Sequence, residues 1–120
     1  MLIHLLKSKI HRAIVTGGDV NYEGSLTISA DLAERIHLRE YERILVGNMA
    51  NGNRFETYVI YGEPGLGEFI LNGAVSFLGK KGDRLTIMNF GEYSPEEARA
   101  HKPRVIVLDD QNNVVRSDPD

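Results

Sequence analysis

The chain has no cysteine, which excludes disulfides, thiolate zinc sites, iron–sulfur ligation and a cysteine nucleophile. It also lacks any excess of positive charge. Fourteen lysines and arginines against 17 aspartates and glutamates leave a net charge of −3, so no concentrated basic face is expected to hold a phosphate backbone. Long apolar runs are missing too, because Met1 to Leu6 is broken by His4 and followed by Lys7. Neither a signal peptide nor a membrane-spanning helix fits that pattern, and the expectation is a cytoplasmic protein that engages neither nucleic acid nor membrane. The four histidines, His4, His11, His37 and His101, are scattered without HExxH spacing, so no metal is expected. Gly62-Glu63-Pro64-Gly65-Leu66-Gly67 lacks the Walker lysine and reads as a turn.

What is present is a 120-residue chain, enough for a single domain over residues 1–120 but short of the size that encloses a roomy pocket. A deep site is expected to be shared between subunits. Short runs of isoleucine, valine and leucine bounded by glycine or asparagine predict a mainly β fold. A regular strand over residues 2–15 puts Lys7, Lys9 and His11 on one face and Ile10 and Ile14 on the other. Asn51-Gly52 predicts a tight two-residue hairpin between 43–50 and 54–61, with further strands near 26–28, 68–71, 84–88 and 105–108. Two short helices are expected. One follows Ser29 and pairs Asp31 with Arg35; the other starts at Ser94, with Pro95 at its first position and Glu97 closing a capping box before Pro103. Beyond Gln111 the residues are polar and predict a turn and a frayed tail. Many short strands avoid exposed edges by closing into a small barrel.

With thiol, metal and cofactor loop excluded, Tyr22-Glu23-Gly24-Ser25 carries the most chemistry. Read alone, Gly24-Ser25 is a turn before a strand. The alternative is a self-modifying peptide bond, in which glycine permits a strained backbone and the Ser25 hydroxyl attacks the Gly24 carbonyl. That reaction needs an oxyanion donor and a proton carrier.

Five blocks in order resemble the pyruvoyl-dependent aspartate α-decarboxylase family: Lys9-Ile10-His11-Arg12-Ala13, Tyr22 to Ile28, Asn51 to Tyr58, Asn72-Gly73-Ala74, and Glu96 to Pro103. The resemblance implies a closed six-stranded double-psi β-barrel with two or three short helices, assembled as a homotetramer. It implies self-cleavage between Gly24 and Ser25 into chains 1–24 and 25–120. Ser25 then becomes a covalent pyruvoyl group, with no metal and no pyridoxal phosphate. The implied reaction is decarboxylation of L-aspartate to β-alanine, the precursor used in pantothenate synthesis, with the pyruvoyl carbonyl as electron sink.

The same resemblance implies roles by position. Arg54 is the carboxylate clamp, its planar fork suited to two-point binding, and Lys9 is its companion cation. Tyr58 is the proton donor. Thr57 and Asn72 assist processing around the Gly24 carbonyl, Thr57 also touching substrate. Gly73 and Ala74 are substrate-binding backbone, and His11 and Tyr22 orient the pocket. A regular strand sends Thr57 and Tyr58 to opposite faces, whereas Arg54 and Tyr58 share one. The chain departs from the family at Gly47, where a bulky apolar residue is usual, and at Val75 and Ser76, where alanines are. The resemblance leaves open whether processing needs a maturation factor. Without it, the residues also suit a small β-barrel interaction or regulatory module.

Overall fold

The computed structural model describes residues 1–119 of the chain. Its strands are β1 (Ile3–Ile14), β2 (Gly17–Asp19), β3 (Ser25–Ser29), β4 (Arg43–Asn48), β5 (Arg54–Gly62), β6 (Phe69–Asn72), β7 (Arg84–Tyr93), β8 (Arg104–Leu108) and β9 (Val114–Asp118). Helix α1 (Ala30–Arg35) follows β3, α2 (Pro95–Ala100) follows β7, and a 3-10 helix, Gly73–Leu78, follows β6. The fold is mainly β, as expected.

One continuous ladder runs β2-β6-β3-β5-β4-β7-β1-β8-β9. The pairs β1·β8, β2·β6 and β3·β5 are parallel and the rest antiparallel. Parallel neighbours require crossovers, so strands from different parts of the chain interleave, as a double-psi barrel demands. Where the chain leaves β1, the Val15 amide donates to the Asp83 carbonyl at 2.9 Å and the Thr16 amide to that of Phe69 at 2.8 Å. These bonds stitch β1 back to β6 and curl the ladder into a small barrel. Nine strands are present among the described residues, two more than the seven runs read as strands in the sequence. The additional ones include Gly17–Asp19 and Val114–Asp118, whose short, partly polar sequences carry little hydrophobic signal.

The barrel interior is filled by alternating residues, among them Ile10, Leu26, Ile28, Ile44, Val46, Val59, Phe69, Leu71, Leu85, Ile87, Ile106 and Leu108, all buried. Each such side chain contributes about 1.5–3 kcal/mol on leaving water. Leu32, Ala33, Ile36 and Leu38, in and after α1, join that core.

Local punctuation differs from expectation in four places. In β1 the pairing with β7 shifts between Leu6 and Ser8 and between His11 and Ala13. Arg12 takes a positive φ of 69°. The second bulge resets the alternation, so Ala13 is buried and Ile14 only partly so, as an inserted residue must do. The hairpin loop spans Met49 to Asn53 rather than two residues. Gly52 alone there has positive φ, 78°, and the loop closes through Gly52 N–H to the Asn48 carbonyl at 2.8 Å. In α1, Ser29 sits at the N-cap without a side-chain cap; its hydroxyl accepts from the Glu68 amide at 2.7 Å. Asp31 accepts from the Gly65 amide instead of meeting Arg35. Finally, where a frayed tail is expected after Gln111, Val114–Asp118 form β9. Asn112 is buried, with its side chain accepting from the Ile14 amide and donating to the Ile14 and Gly67 carbonyls. That anchor delivers Val114–Asp118 to pair with β8. Helix α2 has the expected capping box, with Ser94 and Glu97 exchanging bonds of 2.8 and 3.1 Å.

Candidate active site

Two groups of candidate residues stand apart. The first gathers where the chain enters β3. Tyr22, Glu23 and Gly24 are exposed, whereas Ser25 is 0% exposed, so the chain passes from solvent to interior across the Gly24-Ser25 peptide. Interleaving places β3 between β5 and β6. Ser25 pairs with Asn72. The Asn72 side-chain amide donates to the Ser25 hydroxyl at 3.0 Å and to the Thr27 hydroxyl at 2.9 Å, and Ser25 Oγ donates to the Glu23 carbonyl at 3.0 Å. Both Asn72 N–H groups are thereby spent on hydroxyls. Among the described residues, then, the Asn72 side-chain amide donates to the Ser25 and Thr27 hydroxyls and not to the Gly24 carbonyl.

Gly73 adjoins this corner with φ +71°, a conformation that favours glycine. A Cβ there would lie 2.7 Å from Gly24 Cα, 2.8 Å from Gly24 N and 3.0 Å from the Tyr22 carbonyl oxygen. The Gly24 backbone therefore rests directly on Gly73, and only glycine fits. Ala74, next in the 3-10 helix, is exposed.

Strand β5 contributes on both faces. It runs parallel to β3 from the pair Leu26 and Val59. One residue before that pair lie Ser25 and Tyr58, on the same outward face. Thr57 alternates to the interior face, paired with buried Ile44. Among the described residues no hydrogen bond joins Thr57 to Gly24, Ser25 or Asn72, so the structure does not bring it into the corner of its own chain. Tyr22 is exposed and supplies a backbone carbonyl against Gly73, not a side-chain contact.

The second group lies on the outer face of four adjacent strands. Register links His11 to Thr86, Thr86 to Gly47 and Gly47 to Arg54, and one step along links Lys9 to Met88, Met88 to Leu45 and Leu45 to Glu56. Lys9, His11 and Arg54 therefore share a face, with His11 and Arg54 in a single row about 14 Å wide at one strand spacing per step. Gly47 and Thr86 form its floor. A Cβ on Gly47 would sit 3.7 Å from the Arg54 guanidinium, so that group lies across β4. Residues Gly47, Asn48, Asn53, Arg54, Thr86 and Met88 line a cleft of about 350 Å³ there.

Electrostatics separate the two groups. Of the 14 lysines and arginines, Lys7, Arg12, Arg43, Arg84 and Arg116 are each within 4 Å of a carboxylate, and Lys9 and Arg54 are among those in no ion pair among the described residues. His11 is held below its ordinary value of 6.5, first by burial, then by the charges of Lys9, Arg12 and Arg116. Its Nδ1 is buried and has no hydrogen-bond partner among the described residues. Along β5, Arg54 is four residues from Tyr58, about 13 Å. Within one chain, then, the cationic row and the Ser25 corner do not meet.

Sequence reasoning missed Thr27, although a hydroxyl two residues after Ser25 on a strand must share its face. It also missed the Gly47–Thr86 floor, which only strand register reveals. Among the described residues no cluster of ionisable side chains has metal-binding geometry, and no helix is long and apolar enough to cross a membrane.

The sequence profile of the family described as aspartate decarboxylase matches residues 1–115. The chain is similar to proteins named aspartate 1-decarboxylase. It is 50% identical to that of Chlorobaculum parvum over 116 residues, 97% of this chain and 91% of the relative. For the protein of Clostridium acetobutylicum the identity is 46% over 114 residues, 95% and 90% of the two chains, and for that of Prosthecochloris aestuarii 48% over 116 residues, 97% and 90%. A match across the β3 corner, the cationic row and the core that positions both is decisive: the chain belongs to the aspartate decarboxylase family.

Proposed function

We propose that this protein decarboxylates L-aspartate to β-alanine and CO₂, for use in pantothenate synthesis, after cutting itself between Gly24 and Ser25. The observation that carries this reading is the wholly buried Ser25 hydroxyl, held between the Asn72 amide and the Glu23 carbonyl while the Gly24 backbone presses on Gly73. An ordinary turn before a strand needs neither a buried hydroxyl nor a side-chain-free cradle.

Ser25 Oγ attacks the Gly24 carbonyl carbon, and the Gly24–Ser25 C–N bond breaks to give an ester and a free amine on residue 25. β-Elimination then releases the Gly24 carboxylate. Water replaces the nitrogen of the resulting dehydroalanine, ammonia departs, and a pyruvoyl group begins chain 25–120. The corner fits such a group, since the Asn72 N–H that holds the Ser25 oxygen still faces residue 25 once that oxygen has left with the Gly24 carboxylate. Once formed, the pyruvoyl carbonyl supplies the electron sink that an amino acid requires on losing its α-carboxylate.

The remaining work belongs to this chain's side chains. Arg54 and Lys9, in no ion pair among the described residues, bind the two carboxylates of aspartate, the guanidinium through two parallel N–H groups. Tyr58, on the Ser25 face, delivers the proton to the α-carbon through its hydroxyl. The Gly73 and Ala74 backbone offers amides that no bulky side chain covers. His11, kept neutral by burial and its cationic neighbours, preserves a hydrogen-bonding nitrogen beside Lys9. Because the cationic row and the Ser25 corner are separated within one chain, the complete site combines groups from neighbouring copies in a homotetramer.

Denaturing mass spectrometry coupled to an assay for β-alanine tests the proposal. Wild-type protein is expected as chains 1–24 and 25–120 with activity, and Ser25→Ala as one inactive chain near 13.4 kDa. An active Ser25→Ala protein would refute the mechanism.

A further inference from the structure

The loop that precedes Arg54 does not merely turn the chain around. Asn48 and Asn51 each donate a side-chain N–H to the Leu78 carbonyl at 3.1 Å, and Asn53 does so at 3.4 Å. Three amides, one from the end of β4 and two from the loop after it, thus converge on the last carbonyl of the 3-10 helix, more donors than a carbonyl oxygen has lone pairs. Asn48 is the hub. It is 2% exposed, its amide also donates to the Asp83 carboxylate at 3.0 Å, and its side-chain oxygen accepts from the Ala50 amide at 2.8 Å. Asp83 in turn accepts from the Lys80 amide at 3.0 Å, which fixes the turn after the helix. Room is kept for this hub at Gly79, where a Cβ would fall 2.9 Å from the Asn48 side-chain nitrogen.

The 3-10 helix held at this end is the one whose other end is Gly73, pressed on Gly24. It therefore spans the distance between the Ser25 corner and the Arg54 loop. We propose that Asn48, Asn51 and Asn53 are positioning residues for the reaction: by clamping Leu78 they fix the loop that carries Arg54, and so set where the substrate's carboxylate is held, while the same 3-10 helix ties that loop to the Gly73 corner that serves a neighbouring site. This rests on Arg54 binding substrate, as argued above.

The test uses full-length Asn51→Asp and Asn53→Ala. Asn51 is exposed, so its replacement leaves the core intact. The new carboxylate still accepts from the Asn53 amide, as Asn51 Oδ1 does at 2.9 Å, but it turns a negative oxygen toward the Leu78 carbonyl. Hydrogen–deuterium exchange in Asn51→Asp is expected to speed up together in residues 48–54 and 74–79. KM for L-aspartate is expected to rise about fivefold with kcat changed less than about twofold, the effect of losing one hydrogen bond that acts on binding rather than chemistry. Asn53→Ala, which removes the longest bond, is expected to shift both readouts less. Faster exchange confined to 48–54, or an unchanged KM in Asn51→Asp beside an active wild type, would overturn the clamp. Wild-type protein that makes no β-alanine would instead overturn the proposed function, and the exchange pattern would still decide whether the two segments are coupled.

Discussion

The Ser25 corner and the Lys9–His11–Arg54 row are built on opposite principles. At the corner the side-chain donors are spent, with Asn72 on two hydroxyls and Ser25 on the Glu23 carbonyl, and the backbones of Gly24 and Gly73 meet too closely for any side chain. Along the row Lys9 and Arg54 have no carboxylate partner among the described residues, and the floor between His11 and Arg54 is glycine and threonine. Chemistry performed on the chain itself calls for groups already satisfied and locked in place. Binding an incoming dianion calls for the reverse, charge held in reserve on a surface that a neighbouring copy can cover. The sheet accommodates both because the row crosses β1, β7, β4 and β5 while the corner lies at the β3–β6 junction.

The largest expected effect comes from the corner. Ser25→Ala should abolish both cleavage and activity while the chain still folds, since Cβ remains and only Oγ is lost; a single uncut chain by mass spectrometry is the check. Second is the row. Arg54→Ala should leave cleavage complete but lower kcat/KM about 100-fold, the loss of two charge-assisted hydrogen bonds at about 1.5 kcal/mol each. Should Arg54→Ala block cleavage instead, the division between corner and row would fall.

Gly73→Ala is expected to be next, for the contact it makes with Gly24. The positive φ alone costs about 1 kcal/mol, and the 2.7 Å approach to Gly24 Cα adds a clash that must push the scissile segment away. Thermal unfolding should drop by several degrees for a chain of this size, and cleavage should slow. A fully cleaved Gly73→Ala protein with an unchanged midpoint would show that the close approach does not matter.

The smallest effect concerns pH. His11 has a lowered pKa, so the folded chain resists taking the proton that the unfolded chain accepts near 6.5. Stability is therefore level above that value and falls as pH drops through it. His11→Asn should flatten this part of the curve in acid-unfolding measurements. Asp83 has a carboxyl lowered from 3.8 by the Asn48 side chain and the Lys80 amide, so its share of stability is present above 3.8 and is lost only in stronger acid. A pH profile that His11→Asn leaves unaltered would remove His11 from the electrostatics of the row.

Much of this was legible in residue order. Alternation located the core strands, and Ser94-Pro95-Glu96-Glu97 specified the capped helix, because both depend on neighbours close in sequence. What escaped depends on partners far away. Ser29 was readable as a cap, yet its hydroxyl goes to Glu68 across the sheet. Asn51-Gly52 did mark a turn, but the loop is longer because three asparagines reach Leu78 instead of closing a tight hairpin. Arg12 is a bulge that no local pattern marks, and it reverses the inward face of the end of β1. The polar stretch after Gln111 looked frayed because the anchor, Asn112 between Ile14 and Gly67, is a single buried side chain. Among site residues, shared parity correctly joined Lys9 to His11 and separated Thr57 from Tyr58. The floor of Gly47 and Thr86 depended on the register of four strands.

Mixing two inactive chains tests the split site most directly. Ser25→Ala keeps the cationic row but makes no pyruvoyl group, and Arg54→Ala makes the group but lacks the clamp. If each site takes its corner from one copy and its row from another, co-expressed oligomers should recover β-alanine production in about a quarter of their sites, as random pairing of the two chains dictates. Mixed oligomers that contain both chains and yet stay inactive would contradict the account.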